Sequence, residues 1–266
     1  MLKVGAVIYS PNVTIIWDII AKFCKDEGCA IEPVYFKDYK MQVDALINKS
    51  IDIAWNSPLA WLDTHLRTNG ANLNGLMRDT DQDRHSVMVA KKGVKLADLK
   101  GKKIGFGAID SPQARLIPIG FLHDNGLGLD SYEQVRFDVG VGLHGDHVGG
   151  EEDALNALIK GELDASWMLD LNYQRWAQSG KIDSAKYEII AKTPNFDHCI
   201  FCSRADLDKK LFENFNQTLK KMDYTNPAHK EMMDLEGLKK WVDGRTSGFT
   251  QLQKANEYLG FYASIF

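Results

Sequence analysis

The sequence predicts an α/β protein of two lobes, each with a mainly parallel sheet flanked by helices. Apolar strands alternate with amphipathic helices between Lys3 and Trp55, a pattern typical of a parallel sheet with right-handed crossovers. The run Arg78–His85 then lacks any apolar period, which predicts that the chain crosses there into a second lobe. A second polar run, Thr193–Asp197, predicts the return.

These two crossings, near residues 78–86 and 193–199, define the expected domain organisation. Lobe 1 is expected to combine residues 1–84 with 198–266, and lobe 2 to comprise residues 85–197. The spacing of apolar residues after the return predicts four helices. They are expected over 207–222, 229–235, 238–242 and 251–258.

Composition excludes several classes of protein. The chain has 266 residues and a formal net charge of −4. Its acidic and basic residues are interspersed, so no basic surface for nucleic acid is expected. No apolar run reaches the roughly 18 residues that a membrane-spanning helix needs, and the N-terminus lacks the pattern of a signal peptide.

Four cysteines are too few for a disulfide framework and are expected to be reduced. They are Cys24, Cys29, Cys199 and Cys202.

One local pattern occurs three times. An apolar strand ends in Ser-Pro and a helix follows, at Ser10-Pro11, Ser57-Pro58 and Ser111-Pro112. Serine suits the N-cap, proline suits the first helical position, and the free N–H groups of the first turn bind polar ligands. Each junction on its own is also consistent with an ordinary helix start. Three of them at the carboxyl ends of strands predict helix N-termini that converge on one ligand site.

Polar and aromatic residues around these junctions are the first candidate ligand contacts. The crossing run adds two more, although the same run is also consistent with a solvated connection. The candidates from both groups are Tyr9, Ser10, Trp55, Asn56, Ser57, Arg78, His85, Asp110, Ser111 and Gln113.

A glycine-rich loop at 140–150 contains the sequence His144-x-Asp146-His147. Glycine-rich loops at strand ends allow close approach of backbone and ligand, so we expect a polar ligand contact from these three side chains. Two imidazoles and a carboxylate are also ligands that a divalent metal accepts. We expect no cofactor, with a divalent metal at His144, Asp146 and His147 as the alternative.

The sequence His198-Cys199-x-x-Cys202 leaves two interpretations open. It is consistent with half of a redox or metal site, but a single C-x-x-C without a partner pair favours a strand with alternate buried residues. On a strand, His198 and Cys199 point to opposite faces. Only one of them is then expected to face a ligand, and His198 is the preferred candidate.

Three longer phrases together resemble one known family. They are Ser50–Trp55, Leu96–Phe106 and Lys160–Ala165, and their order and spacing are similar to those of the phosphonate/phosphite substrate-binding proteins of ABC transporters. The resemblance covers nearly the whole chain. It implies a type II periplasmic-binding-protein fold, with the ligand held in a cleft between the lobes. It also implies that Asp170 corresponds to a cleft-facing aspartate of the family.

The chain departs from the family at the helix opening after Phe106. A loop rich in serine and threonine is typical there, whereas this chain has Asp110-Ser111-Pro112-Gln113-Ala114. Proline has no N–H to donate and Asp110 adds a negative charge. A changed ligand is therefore expected, with a cationic or hydrogen-bond-donating group that faces Asp110, Asp146 and Asp170.

The expected function is binding of a small polar solute, as in a phosphonate-type substrate-binding protein or a relative with a changed ligand. No catalytic residue is predicted. The alternative is a cytoplasmic enzyme of cofactor biosynthesis on the same fold, possibly metal-dependent. The compartment stays open, because the chain is cytoplasmic if native as written and periplasmic or anchored outside a membrane if a leader was trimmed. An ABC transporter permease is the expected partner in the second case.

Overall fold

A computed structural model describes residues 1–146 and 149–265. The chain folds into two compact units. Unit 1 contains Met1–Gln82 and Asp197–Phe249, and unit 2 contains Asp83–Phe196 together with the chain from Thr250 onward.

The first passage through unit 1 alternates strands and helices, as the sequence predicts. Its elements are β1 (Leu2–Val7), α1 (Val13–Asp26), β2 (Ile31–Phe36), α2 (Tyr39–Ile47), β3 (Ile53–Asn56), α3 (Pro58–Arg67) and β4 (Leu76–Arg78).

Unit 2 follows the same alternation, with short helical turns at Leu96–Leu99, Pro112–Leu116 and Leu129–Ser131. Its elements are β5 (Ser86–Lys91), β6 (Lys103–Phe106), α4 (Ile117–Asp124), β7 (Glu133–Arg136), α5 (Gly149–Lys160), β8 (Ala165–Leu169), α6 (Asp170–Gln178) and β9 (Tyr187–Lys192).

The chain then returns to unit 1 and ends in unit 2. The returning elements are β10 (Ile200–Ser203), α7 (Lys209–Leu219), α8 (Pro227–Glu236), β11 (Trp241–Asp243) and a turn at Ser247–Phe249. The last two helices are α9 (Thr250–Leu259) and α10 (Phe261–Ile265).

The main sheet of unit 1 has the strand order β10-β3-β1-β2. β1 is parallel to β2 and β3, and β10 is antiparallel to β3. A second, two-stranded sheet pairs β4 with β11. The predicted helix over 238–242 is therefore wrong, because Trp241 and Val242 pair with Arg78 and Met77, which precede them by more than 160 positions. Pairing with a distant strand has overridden the helical spacing of a short apolar segment.

The sheet of unit 2 has the order β7-β6-β8-β5-β9. β6 is parallel to β7 and β8, whereas β5 is antiparallel to β8 and β9. The carboxyl ends of β6 and β8 are neighbours, so the segments that follow them, from Gly107 and from Asp170, begin at the same edge of the sheet.

The structure corrects the expected division of the chain at its end. The sequence analysis assigned all of 198–266 to the first lobe, but the chain from Thr250 onward belongs to unit 2. The contact of α9 with α4 explains this assignment. A Cβ on Gly120 would lie 3.2 Å from the Cβ of Ala255, and the rings of His123 and Tyr258 stack with centroids 3.8 Å apart.

Two further expectations can be compared with the structure. All four cysteines are buried free thiols, as the low cysteine content predicts. In the described part of the chain, no helix has both the length and the apolar character that crossing a membrane requires.

Candidate functional site

Arg78 is the centre of a buried charge cluster at one edge of unit 1. Its guanidinium donates from Nε and Nη2 to the two carboxylate oxygens of Asp81, each over 2.7 Å. Its Nη1 donates to Oε1 of Glu236 over 3.2 Å and to the Glu236 carbonyl over 3.0 Å. Planar guanidinium groups suit such paired, desolvated contacts. These contacts join the end of β4 and the turn after it to the end of α8.

Two aromatic residues complete the cluster. The Arg78 guanidinium carbon lies 5.5 Å from the centroid of the Trp55 ring, a distance typical of a cation–π contact. The Tyr9 hydroxyl donates to Oε2 of Glu236 over 3.3 Å. Tyr9 follows β1 and Trp55 lies near the end of β3, and the sequence predicts ligand contacts at both positions. We call Tyr9, Trp55, Arg78, Asp81 and Glu236 the Arg78 cluster.

The Arg78 cluster contains two carboxylates and one guanidinium, so its formal charge is −1. Burial acts to lower the pKa of Arg78, but the charge and hydrogen bonds of Asp81, together with Glu236, outweigh it and raise that pKa well above its usual value. Burial raises the pKa of Glu236, with Arg78 acting against this and Asp81 adding to it. The guanidinium is thus engaged by two carboxylates of the chain itself.

His198 and Cys199 lie beside this cluster. His198 Nδ1 is 3.1 Å from Cys199 Sγ and 3.7 Å from Oδ1 of Asp81. The expectation that these two side chains point to opposite faces is wrong. β10 begins only at Ile200, so both residues lie in irregular backbone where the alternation of a strand does not apply.

The Ser-Pro junctions of unit 1 differ from each other. Ser57 caps α3 as predicted, since its Oγ accepts from Ala60 N over 3.2 Å. Ser10 does not cap α1, whose N-cap is Asn12 without a side-chain hydrogen bond. Ser10 instead belongs to a turn, in which its carbonyl accepts from Val13 N.

Asn56 and Ser57 are fully buried. The Asn56 amide donates to Thr64 Oγ1 over 3.1 Å and accepts from Gln42 Nε2 over 2.9 Å. Both side chains therefore stabilise the β3–α3 junction from inside unit 1. These contacts give both side chains a structural role, and their contact with a ligand stays a prediction.

In unit 2, the chain itself covers the third Ser-Pro junction. Ser111 Oγ caps the helical turn that leads into α4 by accepting from Ala114 N over 3.1 Å. We call residues 142–146 the Gly145 loop. Gly142 N donates to Oδ2 of Asp110 over 2.6 Å, and Gln113 Nε2 donates to the Gly145 carbonyl over 2.9 Å.

Gly145 shows how closely this loop approaches the helix start. It has a φ of +80°, and an added Cβ would lie 2.4 Å from Ser111 Oγ and 2.5 Å from Gln113 Nε2. Any other residue would displace these two side chains and would also be strained at this positive φ. The Gly145 loop therefore lies directly against the N-terminal turn in which a ligand was expected.

The predicted histidine loop has no metal group in the part that the structure describes. Burial lowers the pKa of His144 to about 3, so its imidazole is neutral at pH 7. Burial also raises the pKa of Asp110, with the Gly142 N–H acting against it. Among residues 1–146 and 149–265, neither His144 nor Asp146 belongs to a group of three metal-ligating side chains. His147 lies outside the described residues.

Asp170, the first residue of α6, forms an ion pair in unit 2. Its Oδ2 is 3.2 Å from Arg84 Nη1 and 3.7 Å from His85 Nδ1. Burial lowers the pKa of His85, and the charge of Asp170 acts against this. Within the described chain, two buried atoms of this pair make no hydrogen bond: Oδ1 of Asp170, which is an acceptor, and Nε of Arg84, which is a donor.

Glu151 is a buried residue of this edge that the sequence analysis did not single out. Its Oε2 accepts from Leu169 N over 2.9 Å and from Asn172 Nδ2 over 2.8 Å. It therefore fixes the β8–α6 junction on both sides of Asp170. Burial raises the pKa of Glu151 to about 7, although the hydrogen bonds from Asn172 and Leu169 act against this rise.

Asp81, Arg84 and Glu236 were also missed as site residues. Asp81 and Arg84 belong to the polar crossing run, and Asp81 follows Arg78 by three positions, so spacing offered a signal for that pair. Glu236 lies 158 positions from Arg78, and no local pattern connects the two.

Known proteins are similar to this chain over most of its length. A family model described as "ABC transporter, phosphonate, periplasmic substrate-binding protein" matches residues 15–249. The probable ABC transporter phosphite binding protein PhnD1 of Prochlorococcus marinus (strain MIT 9301) is 25% identical over 280 residues, which cover 97% of this chain and 90% of that protein.

Solved structures show the same fold. PhnD1 from Prochlorococcus marinus in complex with methylphosphonate has a TM-score of 0.73 and 18% identity, covering 98% of each chain. XAC2383 from Xanthomonas citri bound to ATP has a TM-score of 0.74 and 14% identity, covering 100% of this chain and 99% of that one. The predicted type II periplasmic-binding-protein fold is confirmed.

The first prediction concerns the buried charge balance. Arg78→Met should destabilise the protein by about 3 to 5 kcal/mol, because it leaves Asp81 and Glu236 buried without their counter-ion. The loss should shrink at low pH as Glu236, whose pKa is raised by burial, gains a proton. Urea unfolding at pH 7 and pH 5 measures both effects. As a control, Arg136→Met removes an exposed pair with Asp138 and should cost at most about 1 kcal/mol. Equal losses in the two variants would contradict the assigned role of Arg78.

The second prediction concerns Glu151. Its pKa is raised from 4.5 to about 7 in the folded protein, so the native state binds this proton more tightly than the unfolded state. The resulting stability is fully present below pH 4.5 and is lost as pH rises to about 7, with a total on the order of 3 kcal/mol. Glu151→Gln should remove this part of the pH dependence, as measured by urea unfolding between pH 4.5 and 8. Glu152→Gln, at a more exposed neighbouring position, should retain it. If both variants keep the wild-type slope, Glu151 does not titrate in this range.

Proposed function

The chain belongs to the family of ABC transporter phosphonate periplasmic substrate-binding proteins, and we propose that it binds one small polar solute and delivers it to an ABC transporter permease. Members of this family bind small ligands and work with such permeases. The family description refers to a binding function and gives no support to the alternative of an enzyme.

The Asp170–Arg84 pair is the main support for the proposed ligand chemistry. Among the residues that the structure describes, the acceptor Asp170 Oδ1 and the donor Arg84 Nε are both buried and have no hydrogen-bond partner. Buried polar atoms without partners cost free energy and are usually satisfied by a ligand or water. A solute with adjacent donor and acceptor groups would satisfy both atoms. We therefore propose a neutral or zwitterionic solute with an ammonium, amide or hydroxyl donor for Asp170.

The environment of the other candidate groups argues against a bare dianion as the ligand. Anions bind at helix N-termini through free N–H groups, but here the Gly145 loop covers that turn and Asp110 adds a carboxylate beside it. In unit 1, Arg78 is already engaged by Asp81 and Glu236. The relatives named above bind methylphosphonate and ATP, which are both anions, so we propose that this chain differs from them in ligand charge.

Three related probes test the proposed ligand class. Methylphosphonate carries only the acid group, ethanolamine only the donors, and 2-aminoethylphosphonate carries an acid group and an ammonium. We expect at least one ammonium-bearing probe to bind at least tenfold more tightly than methylphosphonate in isothermal titration, equivalent to about 1.4 kcal/mol.

A substitution at Asp170 tests whether this carboxylate is responsible. Asp170→Asn retains the shape of the side chain but removes its charge, and should reduce the tenfold preference to less than twofold. Glu133→Gln changes an exposed pair with Lys103 and should leave the preference unchanged. Circular dichroism and thermal melting verify that both variants fold. Tighter binding of methylphosphonate by the wild type would refute the proposed ligand class, and an unchanged preference in Asp170→Asn would exclude Asp170 as its cause.

A further inference from the structure

Three metal-ligating side chains converge beside the Arg78 cluster. They belong to Asp81, His198 and Cys199, and one ligand atom from each lies within 4.8 Å of the other two. All three residues are buried, with exposed fractions of 2%, 6% and 3% respectively. No sequence pattern brings them together, since Asp81 comes from the first connection between the units and the other two residues follow the second.

The distances between these atoms match a small tetrahedral metal site. Zn²⁺ binds oxygen and nitrogen at about 2.0 Å and sulfur at about 2.3 Å, so ligand atoms in such a site lie roughly 3.3 to 3.5 Å apart. Here His198 Nδ1 is 3.7 Å from Asp81 Oδ1 and 3.1 Å from Cys199 Sγ. Each of these two distances differs from that range by a few tenths of an ångström, and the Cys199 and Asp81 ligand atoms lie within 4.8 Å of each other.

The arrangement differs from that of a catalytic triad. In a triad, the imidazole contacts the nucleophile through one ring nitrogen and the carboxylate through the other. In this chain the same nitrogen, Nδ1 of His198, faces both the thiol and the carboxylate. A metal ion needs donor atoms from several side chains around one point, and the Asp81, His198 and Cys199 donor atoms lie within 4.8 Å of one another.

From this geometry we propose that Asp81, His198 and Cys199 bind one Zn²⁺ ion, with the fourth position open to water or an exchangeable ligand. Thiolate and imidazole ligands favour zinc over magnesium and calcium. On binding, the Cys199 thiol releases its proton to solvent and the thiolate forms the metal–sulfur bond.

The charges of the neighbouring groups agree with this proposal. The Arg78 cluster has a formal charge of −1 from Arg78, Asp81 and Glu236. Adding Zn²⁺ and ionising Cys199 brings the total to zero. The positive charge of Arg78 repels the ion. Glu236 remains as the counter-ion of Arg78 when the carboxylate of Asp81 also binds the metal. Oδ1 of Asp81 also has a second lone pair available while it accepts from Arg78 Nη2.

Cobalt titration of the full chain tests the site. Protein that has been reduced and freed of metal with a chelator should bind one equivalent of Co²⁺, with a thiolate-to-cobalt charge-transfer band and the visible bands of a tetrahedral ion. Zn²⁺ should displace the cobalt. Cys199→Ser should lose the charge-transfer band and bind at least tenfold more weakly, and His198→Ala should also bind at least tenfold more weakly.

Cys202→Ser is the matched control, because Cys202 is a buried thiol three positions away, near Asn74. It should bind Co²⁺ like the wild type. Absence of a stoichiometric cobalt complex in the wild type would overturn the proposal, as would a charge-transfer band that survives in Cys199→Ser.

X-ray absorption at the zinc edge gives a second readout that needs no variant. The proposed site requires one sulfur at about 2.3 Å and nitrogen or oxygen ligands at about 2.0 Å. A zinc-loaded wild-type protein whose spectrum contains no sulfur ligand would contradict the assignment of Cys199.

Discussion

The buried guanidinium of Arg78 is the interaction on which the functional edge of unit 1 depends. It is the shared counter-ion of Asp81 and Glu236, two carboxylates from segments far apart in the chain. Without it, the turn after β4 and the end of α8 would each bury an unpaired negative charge, which is among the most destabilising features a fold can contain. The same pairing removes Arg78 from the groups that can bind an anion. The contacts that balance the buried carboxylates are therefore the same contacts that occupy the guanidinium.

In unit 2, backbone groups of the Gly145 loop form the hydrogen bonds of two buried polar side chains. The N–H of Gly142 satisfies Asp110, and the carbonyl of Gly145 accepts from Gln113. These contacts occupy the helix start at which an anionic ligand would bind through free N–H groups. This chain thus combines the fold of the family with a helix start that its own Gly145 loop covers. Among the described residues, the nearby Asp170–Arg84 pair has one buried acceptor and one buried donor without a hydrogen-bond partner, and these two atoms are the basis of the proposed solute contact.

Local patterns in the sequence predict most of the fold, because helices and strands near the start of each unit have clear apolar periods. The predictions fail where contacts between residues far apart in the sequence determine the structure. Residues 241–243 form a strand because β4 offers a pairing edge, and the chain from Thr250 onward joins unit 2 because Ala255 packs against Gly120. Neither outcome is visible in a window of ten or fifteen residues. Even the Ser-Pro signal failed at Ser10, where the helix begins later and Asn12 is its N-cap.

At the candidate site, too, the sequence predicts which residues take part but not which of them contact each other. Tyr9, Trp55 and Arg78 were predicted from their positions at strand ends or in the crossing run, and the structure brings them together. The sequence cannot show which charges are already neutralised. It predicts an excess of negative charge from aspartates such as Asp170, and the structure pairs one carboxylate oxygen of Asp170 with Arg84. A further negative charge lies in the Arg78 cluster, because Glu236 reaches it from a distant helix. The net charge of a buried site depends on which charged residues contact each other. A single sequence shows which charged residues are present, but it does not show which of them form pairs.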